Sequence, residues 1–128
     1  MGRRAGLFLQ IIRTDTTFKP VLHRDVVIWQ GKCIHCNTRL TFDLDGEPLN
    51  GATLEHIHPR SHGGDNHVEN ISAACARCNH AKGRRLDHRR ADDPDLLSMV
   101  AYLQEQRRAR WREPSEAPDP SLARLRRR

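Results

Sequence analysis

The chain is poor in the residues that fill a large core. Its 128 residues include only three Phe, two Trp and one Tyr, and the mean hydropathy is −0.75. This length fits one domain with tails, and a domain with so small a core commonly needs a crosslink such as a bound metal or disulfides. The sequence also has no apolar run near the roughly 20 residues of a membrane-spanning helix, so a membrane partner is not expected.

The first residues do not have the pattern of a secretion signal. The apolar stretch 7–12 is interrupted by Gln10 and is not followed by a small-residue cleavage site. The expected location is therefore the cytoplasm, where cysteines stay reduced. Zinc is favoured over two disulfides as the crosslink, with four free thiols as the remaining alternative.

Lysine is scarce and arginine is abundant. Three Lys stand against 19 Arg, the net charge is +6 and the isoelectric point is about 9.8. The guanidinium fork can donate two parallel hydrogen bonds to a phosphate. A GC-rich genome also raises the number of arginines, so the inference rests more on where they lie. The charge indicates nucleic-acid affinity that weakens with salt.

The four cysteines form two CxxC pairs. The first knuckle is Cys33-Ile34-His35-Cys36, the second is Cys75-Ala76-Arg77-Cys78, and residues 37–74 separate them. Four thiolates make a closed, tetrahedral structural zinc site. His35 is a further ligand that such a site does not need. Because the separation is long, the enclosed segment must form structure of its own.

Secondary structure is predicted unevenly along the chain. Residues 19–30 fit a helix with Pro20 in its first turn, but the β-branched run Val26-Val27-Ile28 also fits a strand. Strands are expected over 39–44 and 52–58, with a short extended piece at 70–74. A short helix is expected from Cys78 to Gly83, and a longer one from Asp93-Pro94, capped by Asp92 or Asp93.

These patterns suggest four parts. They are an N-terminal extension without clear pattern (1–18), a central domain (19–92), a C-terminal helix (93–113) and a basic, disordered tail (114–128).

The enclosed segment carries residues suited to hydrolysis. In Glu55-His56-Ile57-His58-Pro59, strand alternation would place both histidines on one face and Glu55 on the other. Carboxylate and amide oxygens suit a hard cation such as Mg²⁺. A neutral histidine can take a proton from water, and the cation can stabilise the charge on a phosphodiester under attack. The combination therefore indicates a nuclease.

Over about residues 24–85 the sequence resembles the zinc-stapled HNH endonuclease family. The resemblance rests on both knuckles and on the following motifs: Glu55-His56-Ile57-His58-Pro59, Gly63-Gly64, Asn70 and Asn79-His80-Ala81-Lys82-Gly83. It implies an α+β fold, a small zinc-stabilised ββα-metal finger in which a β-hairpin with a long loop is followed by a helix, here with flanking helices.

The resemblance also implies roles. Glu55 would be the acidic ligand of a catalytic Mg²⁺ or Mn²⁺, and His56 the general base. Asn70 would hold the loop or orient the base, and Asn79 would supply the third motif position and the second metal ligand. The zinc ligands would be Cys33, Cys36, Cys75 and Cys78.

Two positions depart from the family pattern and two histidines stay open. Glu55 stands where Asp is more common, and Asn79 stands where His also occurs. Asn79 is favoured over its neighbour His80 by register and because oxygen suits Mg²⁺. His58 either assists at the metal or phosphate, or only packs beside His56.

Four basic residues are expected to contact the DNA backbone: Arg60, Lys82, Arg84 and Arg85. Cations at a helix end are also favourable without any ligand, because of the helix dipole.

The sequence therefore predicts a metal-dependent DNA endonuclease, with RNA as another substrate. The alternative is a non-catalytic zinc module that binds nucleic acid or a protein partner. In either case the domain could serve a larger phage, restriction or mobile-element assembly.

Overall fold

The computed structural model describes residues 2–126, which form two small antiparallel sheets and four α-helices. The helices are α1 (Arg3–Thr14), α2 (Ala76–Lys82), α3 (Pro94–Ala109) and α4 (Leu122–Arg126). The strands are β1 (Lys19–His23), β2 (Val26–Lys32), β3 (Arg39–Phe42), β4 (Ala52–His56) and β5 (Ile71–Cys75). The first sheet has the order β1-β2-β3, and the second is the β4-β5 pair that leads into α2. The α+β class and the ββα arrangement are confirmed.

Residues 19–30 form a β-hairpin, so the strand alternative is correct and the helix alternative is wrong. β1 pairs with β2 in a register that places Val21 opposite Ile28 and Pro20 opposite Trp29. The tip is made by Arg24 and Asp25, whose φ angles are 51° and 65°. Two consecutive left-handed residues give the twist that a two-residue hairpin turn requires.

The segment expected as an N-terminal extension is part of the core. Helix α1 buries Phe8, Ile11 and Ile12. The Phe8 ring lies 4.8 Å from that of Phe42 in β3, and the Phe18 ring lies 5.7 Å from Phe42 on another side. All three phenylalanines therefore belong to one cluster between α1 and the first sheet.

Helix α3 begins as the sequence predicts. The Asp93 carboxylate accepts hydrogen bonds from the amides of Asp95 (3.0 Å) and Leu96 (3.1 Å), and Pro94 occupies the first turn. In residues 2–126 no helix has the length and apolar character that a membrane span requires.

The tail expected to be disordered carries structure in its described part. Residues Pro114–Glu116 form a 3₁₀ turn, α4 follows at Leu122–Arg126, and Ala123 is 7% exposed. The last two residues, Arg127 and Arg128, lie outside the described part of the chain. This segment packs back onto the domain, α4 against β1 and the 3₁₀ turn against α1.

A buried arginine, Arg107, ties helix α3 to the rest of the fold. Arg107 is only 2% exposed. Its guanidinium donates hydrogen bonds to the carbonyl oxygens of Ile71 (3.1 Å), Thr14 (2.9 Å) and Val68 (3.2 Å) and to Thr14 Oγ1 (2.6 Å). Burial lowers its pKa to about 10, which leaves it charged at neutral pH. Arg107 thus joins α3 to α1 and to the start of β5.

We expect Arg107→Met to lower the free energy of unfolding by about 3 kcal/mol, because several buried carbonyl groups lose their donors. Urea denaturation of the zinc-loaded protein measures this. The matched control is Arg108→Met, since Arg108 is exposed and pairs with Glu105 at 3.3 Å; its effect should stay within about 0.5 kcal/mol. Equal denaturation midpoints for both variants would contradict the structural role of Arg107.

Candidate functional site

The two knuckles meet in space. The Sγ atoms of Cys33, Cys36, Cys75 and Cys78 all lie within 4.8 Å of one another, and Cys36 Sγ is 3.9 Å from Cys75 Sγ. A tetrahedral zinc site with Zn–S bonds of about 2.3 Å separates its sulfurs by about 3.8 Å. The donor set and its spacing therefore fit a structural zinc ion.

Backbone amides and one arginine shape the first knuckle. The amides of His35 and Cys75 point at Cys33 Sγ, at 3.4 and 3.3 Å. Asn37 follows with φ 64°, and Arg110 donates to its Oδ1 (2.7 Å) and to the Cys33 carbonyl (3.1 Å). The turn that presents the sulfurs is held from α3's C-terminal end as well as from its own amides.

The thiols differ in acidity. Burial raises the pKa of Cys33, and burial together with the neighbouring thiols raises the pKa of Cys78 to about 12. Hydrogen bonding to Thr38 lowers the pKa of Cys36 to about 6. Zinc binding must therefore displace protons from at least Cys33 and Cys78, so metal uptake should release protons and weaken as the pH falls.

Strand β4 presents Glu55 and His56 on opposite faces. Glu55 is only 1% exposed, and its Oε1 lies 2.6 Å from His35 Nε2 in the first knuckle. His35 thus contacts the carboxylate expected to bind a divalent cation.

Asn79 lies on the same side of β4 as Glu55. Its Nδ2 donates to Thr53 Oγ1 and to the Leu54 carbonyl, both at 3.0 Å, and neither of these bonds uses Oδ1. Glu55 shares the face of Thr53, two residues earlier in the strand. Ser72 lies opposite Glu55 on β5, and its buried hydroxyl has no hydrogen-bond partner in the described structure. Hard oxygen donors therefore line the side of the hairpin that packs against α2.

His80, the alternative to Asn79, is exposed on α2.

The His56 ring contacts a residue that the sequence did not single out. Its Nε2 lies 2.7 Å from Asn66 Oδ1. An amide oxygen only accepts hydrogen bonds, so Nε2 is the donor in this contact, and in the neutral ring the lone pair is then on Nδ1. Asn66 lies in the polar loop after Gly63-Gly64, and no local pattern distinguishes it from the other polar residues there.

Asn70 contacts the backbone of the 57–70 loop. Its Oδ1 accepts from the His58 amide at 2.8 Å, and its Nδ2 donates to the carbonyls of His58 (3.2 Å) and Asp65 (2.9 Å). Of the two roles considered for Asn70, this geometry corresponds to holding the loop.

His58 and Gly64 belong to the same loop. The His58 Nε2 lies 2.9 Å from the His62 carbonyl, so its ring packs within the loop. A Cβ at Gly64 would overlap the His58 carbonyl oxygen, and the Gly64 amide donates to the Pro59 carbonyl at 2.9 Å. The closely packed backbone explains the need for glycine at this position.

The basic residues divide into two groups. Arg60, Arg84 and Arg85 are exposed, the last two on a π-helical turn (Gly83–Asp87) that continues α2. Lys82 is 3% exposed, and its Nζ donates to the His56 carbonyl (3.1 Å) and Asp87 Oδ1 (2.8 Å). The burial of Lys82 differs from the expected phosphate contact and gives it a position supporting the end of β4.

Comparison with known proteins gives one match. Residues 33–93, just under half of the chain, match a family model described as HNH endonuclease. The matched segment includes both knuckles, β3 to β5, α2 and the π-helical turn. No curated protein and no solved structure matches the chain.

We expect one zinc per chain, and we expect Cys36→Ser to lose it. Cys36 is exposed, so replacing it disturbs no core packing, and a loss of thermal stability would come from the missing ligand. Elemental analysis measures the zinc content, and thermal denaturation measures the midpoint of unfolding. The control Ser98→Ala, on the exposed side of α3, should keep the metal. A zinc-free protein with two disulfides by mass spectrometry would contradict the assignment.

Proposed function

We propose that this chain is a metal-dependent endonuclease that hydrolyses phosphodiester bonds of duplex DNA, a function suggested by the match of residues 33–93 to the HNH endonuclease family model. One observation carries the proposal beyond the family match. The His56 ring stands at the end of β4 with Nε2 held by Asn66, an arrangement in which the neutral ring has its lone pair on Nδ1, as a general base requires.

In this proposal Nδ1 of His56 accepts a proton from water as the water attacks the phosphorus. Asn66 keeps the ring in one tautomer and one orientation, and it stabilises the imidazolium that forms. Lys82 donates to the His56 carbonyl, and Asn70 holds the backbone of His58 two residues later. The base is therefore fixed through its ring, its own carbonyl and the following loop.

Glu55 and Asn79 are the residues that would hold a divalent cation, Mg²⁺ or Mn²⁺. Their carboxylate and amide oxygens are hard donors, and the orphaned Ser72 hydroxyl lies opposite Glu55. When bound, such an ion supplies positive charge that stabilises the phosphate and the leaving 3′ oxygen.

The cysteine cluster would hold zinc as a structural ion, because four thiolates leave no position for water. It would join the end of β5 and the start of α2 to the loop between β2 and β3. Arg60, Arg84 and Arg85 are exposed and would contact phosphates of the duplex. Such contacts position DNA without reading its sequence.

The first test is plasmid cleavage by the zinc-loaded protein with Mg²⁺, Mn²⁺ or EDTA. His56→Ala should lower the rate at least about 100-fold, since a positioned base contributes roughly 10²–10⁴-fold. Its zinc content should not change. The matched control is His23→Ala, an exposed histidine at the end of β1.

Cleavage by His56→Ala at the wild-type rate would remove the base assignment. Absence of cleavage with any metal, from protein that retains zinc, would favour the alternative of a zinc module that only binds nucleic acid or protein.

A second prediction concerns Asn66. Asn66→Ala removes the acceptor for His56 Nε2 and should lower kcat about tenfold, a part of what a positioned base contributes. Asn66→Asp keeps an acceptor oxygen and should retain most of the activity. Single-turnover cleavage rates measure both. If the Ala variant cleaves as fast as the Asp variant, the ring does not depend on Asn66 for its orientation.

A further inference from the structure

A single contact joins the first knuckle to the carboxylate of β4. His35 Nε2 lies 2.6 Å from Glu55 Oε1, and the two side chains are 12% and 1% exposed. A carboxylate this deeply buried needs a partner, and 2.6 Å is the short distance of a charge-assisted hydrogen bond. No other partner of the Glu55 carboxylate is seen in residues 2–126.

The knuckle itself fixes where the His35 ring stands. The His35 amide points at Cys33 Sγ (3.4 Å), and the preceding amide of Ile34 donates to the Ala73 carbonyl of β5 (3.1 Å). The ring is therefore placed by the cysteine cluster on one side and by the second sheet on the other.

The other oxygen of Glu55 is free of this bond. Since Oε1 is held by His35, the position of the carboxylate is restrained, and Oε2 remains as the oxygen that this contact does not use. Asn79 is held in a comparable way, because both hydrogens of its amide are bound to β4 and Oδ1 remains. In Glu55 and in Asn79, one atom of the polar group is therefore hydrogen-bonded to the protein, and the other oxygen is not used by these bonds.

We propose that His35 is a positioning residue for Glu55: it links the zinc knuckle to the catalytic divalent cation site. The inference rests on the proposed function in one respect, namely that Glu55 is a ligand of that cation. Hydrogen-bonded partners of metal ligands commonly change metal affinity about 10–100-fold when they are replaced.

The test measures Mn²⁺ affinity rather than cleavage. Zinc-loaded full-length protein in a His56→Ala background is mixed with a DNA duplex, and free Mn²⁺ is followed by electron paramagnetic resonance. In this background His35→Asn withdraws the donor, because Asn is too short to reach Glu55, whereas His35→Gln retains an N–H at a similar reach. The control is His23→Gln on β1.

We expect His35→Asn to bind Mn²⁺ at least about tenfold more weakly, and the Gln variant and the control to stay within about threefold of the parent, with one zinc per chain in all. If His35→Asn keeps zinc and binds Mn²⁺ like the parent, the proposal is overturned. If it loses its zinc, the role of His35 lies in the knuckle and the proposal is overturned too.

A second comparison separates positioning from general structural support. When Glu55→Gln is already present, adding His35→Asn should weaken Mn²⁺ binding no further, because the residue acts through Glu55. Independent, multiplicative losses would overturn the proposal.

The wild-type protein distinguishes this failure from a failure of the proposed function. If wild type cleaves plasmid and binds Mn²⁺ while His35→Asn matches the parent, only the role of His35 is wrong. If zinc-loaded wild type does neither, the proposed function fails and this inference fails with it.

Discussion

The four sulfur atoms that lie within 4.8 Å of one another are the constraint on which the rest of the fold depends. A two-stranded hairpin such as β4-β5 is marginal by itself, and the phenylalanine cluster lies elsewhere, between α1 and the first sheet. The cysteines of the first knuckle follow β2, and those of the second lie at the junction of β5 and α2. A metal ion that crosslinks these two places would fix the hairpin against the larger sheet, in addition to the buried apolar contacts of Ile57, Ile71 and Ala73.

Internal arginines complete this arrangement and change how the net charge of +6 is understood. Arg107, Arg110 and Arg112 donate to backbone carbonyls of α1, of the first knuckle and of the loop before β5. These guanidinium groups replace hydrogen bonds that irregular segments cannot make among themselves. Part of the arginine excess is therefore structural, and the nucleic-acid interpretation rests on exposed residues such as Arg60 and Arg84.

The elements with local signals were predictable, and those without were not. The knuckles, the β4-β5 hairpin and the Asp93 cap each follow from a short pattern. The β1-β2 hairpin turns at Arg24-Asp25, which lacks the glycine that usually marks such a turn. Helix α1 has no side-chain cap and carries Arg3 and Arg4 in its first turn, where positive charge opposes the helix dipole. Both elements depend on tertiary packing, which a local sequence pattern does not reveal.

The same distinction applies within the site. The motif identified Glu55, His56, Asn70 and Asn79, because their order and spacing are local features. It did not identify Asn66 or His35 as their partners, nor the burial of Lys82, since these contacts join residues 10, 20 and 26 positions apart. Supports of this kind come into existence only when the knuckle and the loop have folded.

Strand alternation then explains why the two side chains proposed to be functional have different supports. Glu55 and His56 are neighbours on β4, so one faces α2 and the knuckle while the other faces the 57–70 loop. A glutamate carries one more rotatable bond than the aspartate more common in the family, and would lose more conformational entropy when fixed. His35 reaches that longer side chain from a knuckle that is held by its own amides and by Arg110. His56 is held instead by an exposed polar loop through Asn66 Oδ1, which contacts Nε2 of the ring and not Nδ1.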